Sequence, residues 1–474
     1  MSDWGKESTM LTYSFENSGS DPLYEHLYKC IKSDIISGKI RAGEKLPSKR
    51  TFAKNLGISV ITVEGAYSLL IAEGYVYSVP KKGYYAADFS FPQTQPVKIS
   101  AGTAVLSGGE NAFLGDFASS QTDTAIFPFS IWAKTMRQIM AEKQDKLMIN
   151  PPCGGIMELR RAIAAHLKAF RAMDVDPERI IIGAGTEYLY GLLIQILGRD
   201  NVFGIEDPGY HKSARIYEHS GAAYEFIDID RDGPAVSELE QKKITVVHTS
   251  PSHHFPTGAV MPVSRRYELL GWAAKANGRY IIEDEYDSEL RLLGKPLPTL
   301  QSIDISGRVI YMNTFTKTLC STVRISYMIL PEDLAEYFYK NLGFYSCTVS
   351  NFEQYTLARF IENGSFEKHI NRLRNFYQKK RDLLLDTIQD HPLHKHVSIF
   401  EKEAGVHFLM KIETSKKETE VVEDAKAGGV RLCPVSAYYS EPSCAPENIY
   451  VMNYSSIKEE NMGQIVQKIY EAVC

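Results

Sequence analysis

The most informative segment of the chain reads VIYMNTFTKT and spans residues 309–318. Its first four residues form a short apolar run, which is typical of a buried strand. The run leads into a turn where Lys317 stands among threonines, and Arg324 follows seven residues later. A lysine just after a strand is most often a surface residue. Here the neighbouring hydroxyls and the arginine favour an anion-binding site beside a reactive amine, so Lys317 is the leading catalytic candidate.

Three other predicted strand ends carry groups that could form a binding site together with Lys317. The apolar residues 180–182 precede Gly-Ala-Gly-Thr at 183–186 and a predicted helix at 187–197. Backbone N–H groups at such a helix start can bind a phosphate, although many turns of this kind bind nothing. Tyr210 ends the turn EDPGY, and Asp284 follows the apolar run YII at 280–282. Short apolar runs alternating with amphipathic stretches predict a wound α/β domain.

An amine, an anion seat and a carboxylate at neighbouring strand ends fit pyridoxal 5'-phosphate (PLP), because a lysine amine, a phosphate site and a partner for the ring nitrogen are what this cofactor needs. With these motifs in order, residues 113–474 resemble a fold-type I aminotransferase domain. The resemblance implies the α/β class with a mainly parallel central sheet. It also implies that dimers build the site at their interface.

The resemblance assigns roles to individual residues. Lys317 would be the Schiff-base lysine, Asp284 would bind the ring nitrogen and Tyr286 the phenolic oxygen, while Tyr210 would stack on the ring. The residues expected to line the phosphate are Ala184, Gly185, Thr186, Thr314, Thr316 and Arg324. The loop PSHHFPTG carries Phe255 where free aminotransferases often have an asparagine that binds the phenolic oxygen. The loss of that donor predicts altered cofactor electronics and reduced turnover.

Two further segments carry candidates for binding an effector. His253 and His254 are expected on the substrate side of the cofactor, and loop-stabilising hydrogen bonds are the alternative. Arg431, in GVRLCP at 429–434, is the candidate clamp for an effector carboxylate, because arginine binds carboxylates with two hydrogen bonds. A surface position before a strand is its alternative.

The N-terminal residues 12–86 predict a winged helix-turn-helix. A cap at Asp21-Pro22 opens a helix with apolar residues every fourth position from Leu23 to Ile35, and Gly38 ends it. Two more helices are predicted at 48–56 and 59–73, followed by two short strands joined by a basic turn at 81–83. Residues 39–54 contain six basic residues and one acid, which suits a phosphate backbone. A solvated helical face is the alternative explanation of that charge.

This module resembles the GntR-type DNA-binding domain through LPSKR (46–50), LGIS (56–59) and AEGY (72–75). The resemblance implies a recognition helix that begins at Ser59 and a wing that reaches the adjacent groove. The residues expected at the DNA are Ser48, Lys49, Arg50, Ser59, Thr62, Tyr67, Lys81 and Lys82. Two departures are Val60, where the family usually has arginine, and the wing VPKKG at 79–83. They predict an unusual operator preference.

The order of the domains, joined by a linker predicted at 87–112, resembles the MocR subfamily of GntR regulators. The resemblance implies a regulator that binds operator DNA, senses PLP or an amino-acid or amine effector, and forms a head-to-tail homodimer. One alternative is an active PLP-dependent aminotransferase with an accessory DNA-binding domain. Another is a regulator with an inactive pocket, which would not explain why Lys317 and Asp284 are retained.

Composition narrows the remaining classes. The 474 residues are 44% hydrophobic and carry 53 basic and 58 acidic side chains, a formal net charge of −5, which excludes a wholly basic nucleic-acid coat. No stretch approaches the ~20 apolar residues of a membrane span. The seven cysteines are scattered without a CxxC pair, so neither a disulfide framework nor a zinc ribbon is predicted. We therefore expect a metal-free, cytoplasmic protein that does not enter membranes.

Overall fold

The computed structural model describes residues 11–15, 22–88, 113–119, 121–292, 297–402 and 405–474. The chain divides into two compact units, residues 1–109 and 110–474. The expected helix cap at Asp21 and nearly all of the predicted linker at 87–112 lie outside the described residues. The proposed domain limits 12–86 and 113–474 therefore stay predictions.

The first unit is a winged helix-turn-helix. Its elements are α1 (Leu23–Ile36), β1 (Lys45–Leu46), α2 (Lys49–Leu56), α3 (Val60–Ala72), β2 (Val76–Val79) and β3 (Gly83–Ala86). The strands form an antiparallel sheet in the order β1-β3-β2. Leu27 and Ile31 of α1 are buried with Phe52 of α2 and Val63 of α3, as the fourfold spacing in α1 predicts.

Glycine and serine set the limits of the middle helix. Ser48 caps α2 by accepting a hydrogen bond from the Thr51 backbone N–H at 3.2 Å. Gly57 ends it with φ at +69°, a conformation that glycine adopts without steric cost. Ser59 then caps α3 by accepting from the Thr62 N–H at 3.1 Å. The tight turn between the two helices is therefore encoded locally.

The second unit is a large α/β domain. Its helices are α4 (Phe129–Glu142), α5 (Gln144–Leu147), α6 (Met157–Arg171), α7 (Thr186–Leu197), α8 (His211–His219), α9 (Val236–Gln241), α10 (Val263–Ala274), α11 (Leu300–Ile303), α12 (Glu332–Leu342), α13 (Asn351–Glu362), α14 (Ser365–Gln389), α15 (Glu418–Ala427) and α16 (Met462–Val473). Its strands are β4 (Gly115–Asp116), β5 (Ile180–Gly183), β6 (Val202–Asp207), β7 (Ala223–Asp230), β8 (Gly233–Pro234), β9 (Val246–Thr249), β10 (Tyr280–Glu285), β11 (Val309–Thr314), β12 (Ser326–Ile329), β13 (Val397–Phe400), β14 (His407–Ile412), β15 (Val430–Arg431) and β16 (Ile449–Asn453).

An eight-stranded sheet forms the centre of this unit, in the order β5-β12-β11-β10-β9-β6-β7-β8. The inner neighbours β11, β10, β9, β6 and β7 pair in parallel. β12 pairs antiparallel with β11 and β5, and β8 pairs antiparallel with β7. The mainly parallel α/β sheet predicted from the sequence is confirmed. Strands β5, β9 and β11 are buried along their whole length and begin with apolar residues, as expected for strands covered on both faces.

A smaller antiparallel sheet, in the order β13-β14-β16, packs with α14 to α16 in the C-terminal part of this unit. Parallel strands leave their carboxyl ends at one edge of the large sheet, where open α/β sheets bind ligands. β5, β6, β10 and β11 end at Gly183, Asp207, Glu285 and Thr314. The candidate residues predicted from the sequence lie at or shortly after these strand ends. In the described part of the chain, no helix combines the length and the apolar character needed to cross a bilayer.

Candidate functional site

A cavity of about 360 Å³ opens at this edge of the sheet. Its wall brings together eight of the predicted residues: Thr186, Tyr210, Asp284, Tyr286, Thr314, Thr316, Lys317 and Arg324. The volume lies in the range of small-molecule and cofactor sites. The strand ends that were separate motifs in the sequence thus form one site.

Lys317 lies in the turn after β11 and is partly buried in the cavity wall. Burial disfavours the charged ammonium and lowers the pKa of Lys317 to about 8, while the charge of Asp287 opposes the shift. A larger fraction of this amine is therefore neutral near pH 7 than for an ordinary lysine. A neutral amine is the form that attacks a carbonyl carbon.

Asp284, on β10, is the buried acid of the cavity, with 8% of its surface exposed. Its Oδ2 atom accepts a short hydrogen bond from the Tyr190 hydroxyl and lies 3.3 Å from Nε2 of His248. Nδ1 of His248 in turn lies 2.9 Å from the Tyr217 hydroxyl. The other oxygen, Oδ1, has no hydrogen-bond partner among the described residues. One oxygen is therefore fixed by the protein and the other is left for a ligand.

The start of α7 and the turn after β11 make the anion corner of the cavity. The Thr314 and Thr316 hydroxyls lie 2.8 Å apart, and the Ser326 hydroxyl donates to Thr314 at 2.8 Å. Gly185 precedes α7 with φ at +95°, and a Cβ there would collide with the guanidinium of Arg324. Only glycine leaves the backbone and the guanidinium this close together. The N–H groups of the first turn of α7 and the arginine suit an anion.

Arg324 also meets an acid at this corner. Its Nη2 atom lies 3.5 Å from Glu187, which a short hydrogen bond from Lys212 also holds. The Lys212 bond keeps the pKa of Glu187 below its ordinary value. Two cations thus surround one carboxylate, so the corner keeps a positive balance.

Tyr286 and Tyr210 complete the expected set. The Tyr286 hydroxyl lies 3.2 Å from Nδ1 of His253, and burial raises its pKa well above 10. The phenol is therefore protonated at neutral pH and able to donate a hydrogen bond. Tyr210 precedes α8 and is half exposed at the cavity wall.

The structure places His254 in the cavity wall, whereas His253 and Arg431 lie outside it. His253 is buried, and its Nδ1 atom lies 2.8 Å from Asp287. That contact matches the loop-stabilising alternative. Arg431 is exposed on β15 and lies 3.4 Å from Asp116, which matches the alternative of a surface position. Ala184 and Gly185, which directly precede Thr186 in the chain, also lie outside the wall.

Sequence reasoning missed several wall residues. Tyr190 and His248 hold Asp284 and come from α7 and β9. His407 and Asn453 come from the small sheet, at β14 and β16. Burial lowers the pKa of His407 well below its ordinary value, so the ring is neutral. These residues belong to none of the strand-end motifs. The one signal in the sequence was the position of Tyr190, which lies three residues after Glu187 and therefore on the same side of the predicted helix.

The DNA-binding candidates fall into three groups. Arg50, Lys81 and Lys82 are exposed, the two lysines at the tip of the β2-β3 hairpin. Lys49 forms an ion pair with Glu64 of α3 at 2.6 Å. Ser48 and Ser59 cap helices through their side chains and remain exposed, and Thr62 is half-buried in the first turn of α3.

Tyr67 corrects the sequence interpretation. It was expected at the DNA, but it lies fully buried in the core of the first unit. Its ring packs against Tyr84, and its hydroxyl donates to the Pro47 carbonyl at 2.9 Å. Its position on α3 faces the same side as Val63 and Leu70, which the core occupies.

Comparison with known proteins covers both units. Residues 115–469 match the family Aminotransferase class I and II, and residues 23–85 match the gntR family of bacterial regulatory proteins. The chain is 38% identical to the uncharacterized HTH-type transcriptional regulator YdeL of Bacillus subtilis, over 95% of this chain and 96% of the relative. It is 28% identical to the probable rhizopine catabolism regulatory protein MocR of Rhizobium meliloti, over 95% and 94% of the two chains.

A solved structure agrees on the architecture of the larger unit. The multiple substrate aminotransferase from Thermococcus profundus superposes with a TM-score of 0.67 at 24% identity, covering 77% of this chain and 92% of the other. At this identity the likeness shows the fold. The shared fold is that of the predicted aminotransferase domain.

Proposed function

Since this chain belongs to the class I and II aminotransferases and carries a gntR-family domain in front, as transcriptional regulators such as MocR do, we propose that it binds operator DNA and senses PLP, or an amine that reacts with PLP, at Lys317. The family implies PLP as the cofactor. The observation that carries the proposal is the cavity that joins the Lys317 amine, the half-satisfied carboxylate of Asp284 and the anion corner.

The residues present fit this cofactor. Among the described residues, Oδ1 of Asp284 has no partner, which suits a protonated ring nitrogen. Gly185, where a Cβ would collide with the Arg324 guanidinium, lets that cation lie against the backbone at the start of α7, which suits a phosphate. When bound, PLP supplies an aldehyde that condenses with amines and a ring that withdraws electrons from the bound nitrogen.

Each residue then has a physical task. Lys317 offers a nitrogen with a lowered pKa for covalent attachment. Asp284, held by Tyr190 and His248, keeps a proton on the ring nitrogen by supplying the opposite charge. Tyr286 would donate a hydrogen bond to the phenolic oxygen of the cofactor. In free aminotransferases an asparagine often donates to the same oxygen, and this chain has Phe255 at that position.

Sensing follows from competition for the cofactor. An effector amine that competed with Lys317 for the aldehyde would leave the Lys317 amine inside the cavity, where the charge of Asp287 favours its protonated form. If one protein conformation accommodates the unattached lysine better than the other, the effector binds that conformation more tightly. It therefore shifts the balance between the two conformations. We propose that this shift reaches the DNA through a head-to-tail homodimer. Its place of action would be the cytoplasm, where operator DNA lies.

The charges of the cavity favour a regulator over an amino-acid enzyme. Among the described residues of its wall, the strongly basic side chains are Lys317 and Arg324, and the proposal uses both for the cofactor. The described wall thus leaves no arginine to clamp a substrate carboxylate, a contact that aids specific binding. A simple amine, or PLP itself, fits the wall better than an amino acid.

A working aminotransferase is the second candidate, favoured by the lowered pKa of Lys317 beside a retained Asp284. Steady-state conversion of an amino acid with 2-oxoglutarate at ordinary enzyme rates would support it. The absence of such turnover, together with effector-dependent DNA binding, would support the regulator.

The test is a visible spectrum of full-length protein supplied with PLP, recorded while amines are titrated in. We expect an absorbance band that amines shift, and a parallel change in affinity for DNA selected from a random pool. Lys317→Ala should lack the band, and Lys275→Ala, which changes an exposed lysine at the end of α10, should keep it. An identical band in the Lys317 variant would refute the site.

A further inference from the structure

The recognition helix α3 presents an apolar surface at its N-terminal end. Ile61 is 80% exposed and Val60 is 42% exposed. Glu64 is exposed one turn later, and Ser68 follows on the same side. The opposite side of α3 is buried through Val63 and Leu70. We define the recognition face as Val60, Ile61, Glu64 and Ser68.

The described residues of the first unit do not cover this face. The core of the unit is already closed by the buried side of α3. Gly65, on the flank, lies so close to α1 that a Cβ there would stand 3.2 Å from Tyr24, so α1 packs on the flank and leaves the recognition face open. Large exposed apolar side chains at such a position mark a surface that meets another molecule.

Charge around the face points to DNA as that molecule. Arg50 and Lys54 of α2 and Lys81 and Lys82 of the hairpin are exposed on the same small unit. Lys49 pairs with Glu64 and so ties α2 to the face. Basic groups of this kind bind phosphates, whereas an apolar surface alone would fit a protein equally well.

Resting on the proposed function, we propose that Val60 and Ile61 read thymine by packing against its C5 methyl group in the major groove. The first residues of a recognition helix are the ones that reach base edges. Valine and isoleucine have no hydrogen-bonding group, so they cannot read guanine as an arginine does. In the major groove the thymine methyl is the apolar feature of a base edge, and apolar side chains contact it.

The same face implies a second, weaker preference. Glu64 has a carboxylate that accepts hydrogen bonds, and cytosine offers a donor amino group in the major groove. Lys49 shares that carboxylate at 2.6 Å, so the contact to a base competes with an ion pair. The thymine contact therefore decides the specificity, and half-sites should each contain at least one thymine at the position of α3.

The test separates the methyl group from everything else in the base. Duplexes that the full-length protein selects from a randomised pool are remade with deoxyuridine in place of single thymidines, which removes the methyl and keeps every hydrogen bond. We expect one or two positions in each half-site where affinity falls about fourfold, equivalent to ~0.8 kcal/mol for one apolar carbon. Ile61→Ala and Val60→Ala should each lose part of the discrimination, and the double variant should bind both duplexes nearly alike.

Controls fix the meaning of each result. Ile305→Ala changes a fully exposed isoleucine in the other unit and should keep the wild-type discrimination. Selected duplexes that show no loss with deoxyuridine at any position would overturn the inference and leave the DNA-binding function standing. Failure to select any duplex would overturn both. An Ile61→Ala variant that changes the oligomeric state but discriminates as the wild type does would make the face a contact between copies, and the inference wrong.

Discussion

Replacing Asp284 with asparagine removes the negative charge from the cavity wall while the side chain keeps its size. In the wild-type protein Oδ2 is held by Tyr190 and His248, and Oδ1 is left without a partner for the ring nitrogen. A hydrogen bond to a charged group contributes ~1.5–3 kcal/mol. The loss of charge should therefore weaken PLP binding roughly 10- to 150-fold.

The assay is a titration of apo-protein with PLP, followed by absorbance, for wild type and variant. At a PLP concentration near 100 times the wild-type Kd, the wild type should gain about 2.7 kcal/mol of stability, and the variant should lose about 1.3–2.4 kcal/mol of that gain. Asp232→Asn is the matched control, because it makes the same change at an exposed aspartate outside the cavity wall. A variant Kd within twofold of wild type would refute the pairing of Asp284 with the ring nitrogen.

Three further outcomes follow from the same contacts. Burial lowers the pKa of Lys317 from 10.5 to about 8, so folded apo-protein binds fewer protons than unfolded protein between those values. Its free energy of unfolding should fall as the pH drops from about 10.5 to 8, and urea titrations of Lys317→Met should lack this part of the slope. Arg50→Ala should weaken DNA binding by ~1–3 kcal/mol if Arg50 reads a base edge, with cofactor spectra unchanged; a wild-type gel shift would remove it from the interface. Tyr67→Phe deletes the bond to the Pro47 carbonyl and should cost ~0.5–1.5 kcal/mol in thermal unfolding of the first unit, and a loss of DNA contacts without a loss of stability would contradict its burial.

Local features of the sequence predicted much of the architecture. Apolar runs marked β5, β10 and β11, because strands buried on both faces need apolar residues throughout. Functional groups directly after those runs met in one cavity, because parallel strands share a carboxyl edge. Lys317 and Asp284 were therefore within reach of sequence reasoning.

Contacts between segments that are distant in the sequence could not be predicted from it. Tyr190 lies 94 residues before Asp284, and His248 lies 36 residues before it, so only the fold brings them together. The antiparallel β12 between β5 and β11 leaves no trace in local periodicity. Arg431 looked like a clamp by residue type, but Asp116, 315 residues away, pairs with it at the surface.

Periodicity also has a limit inside a single helix. A tyrosine can contact DNA through its hydroxyl or fill a core with its ring. Which of the two Tyr67 does depends on the side of α3 on which it lies. The buried side of α3 includes Val63, Ala66 and Leu70, and Tyr67 shares that side. A helical projection of the segment would have placed it in the core.

Covalent capture tests the central claim most directly. Full-length protein supplied with PLP is reduced with borohydride, digested and analysed by mass spectrometry. The account predicts one peptide that carries a pyridoxyl group on Lys317, and none from Lys317→Ala treated in the same way. A pyridoxyl group on another lysine, or no labelled peptide at all, would contradict it.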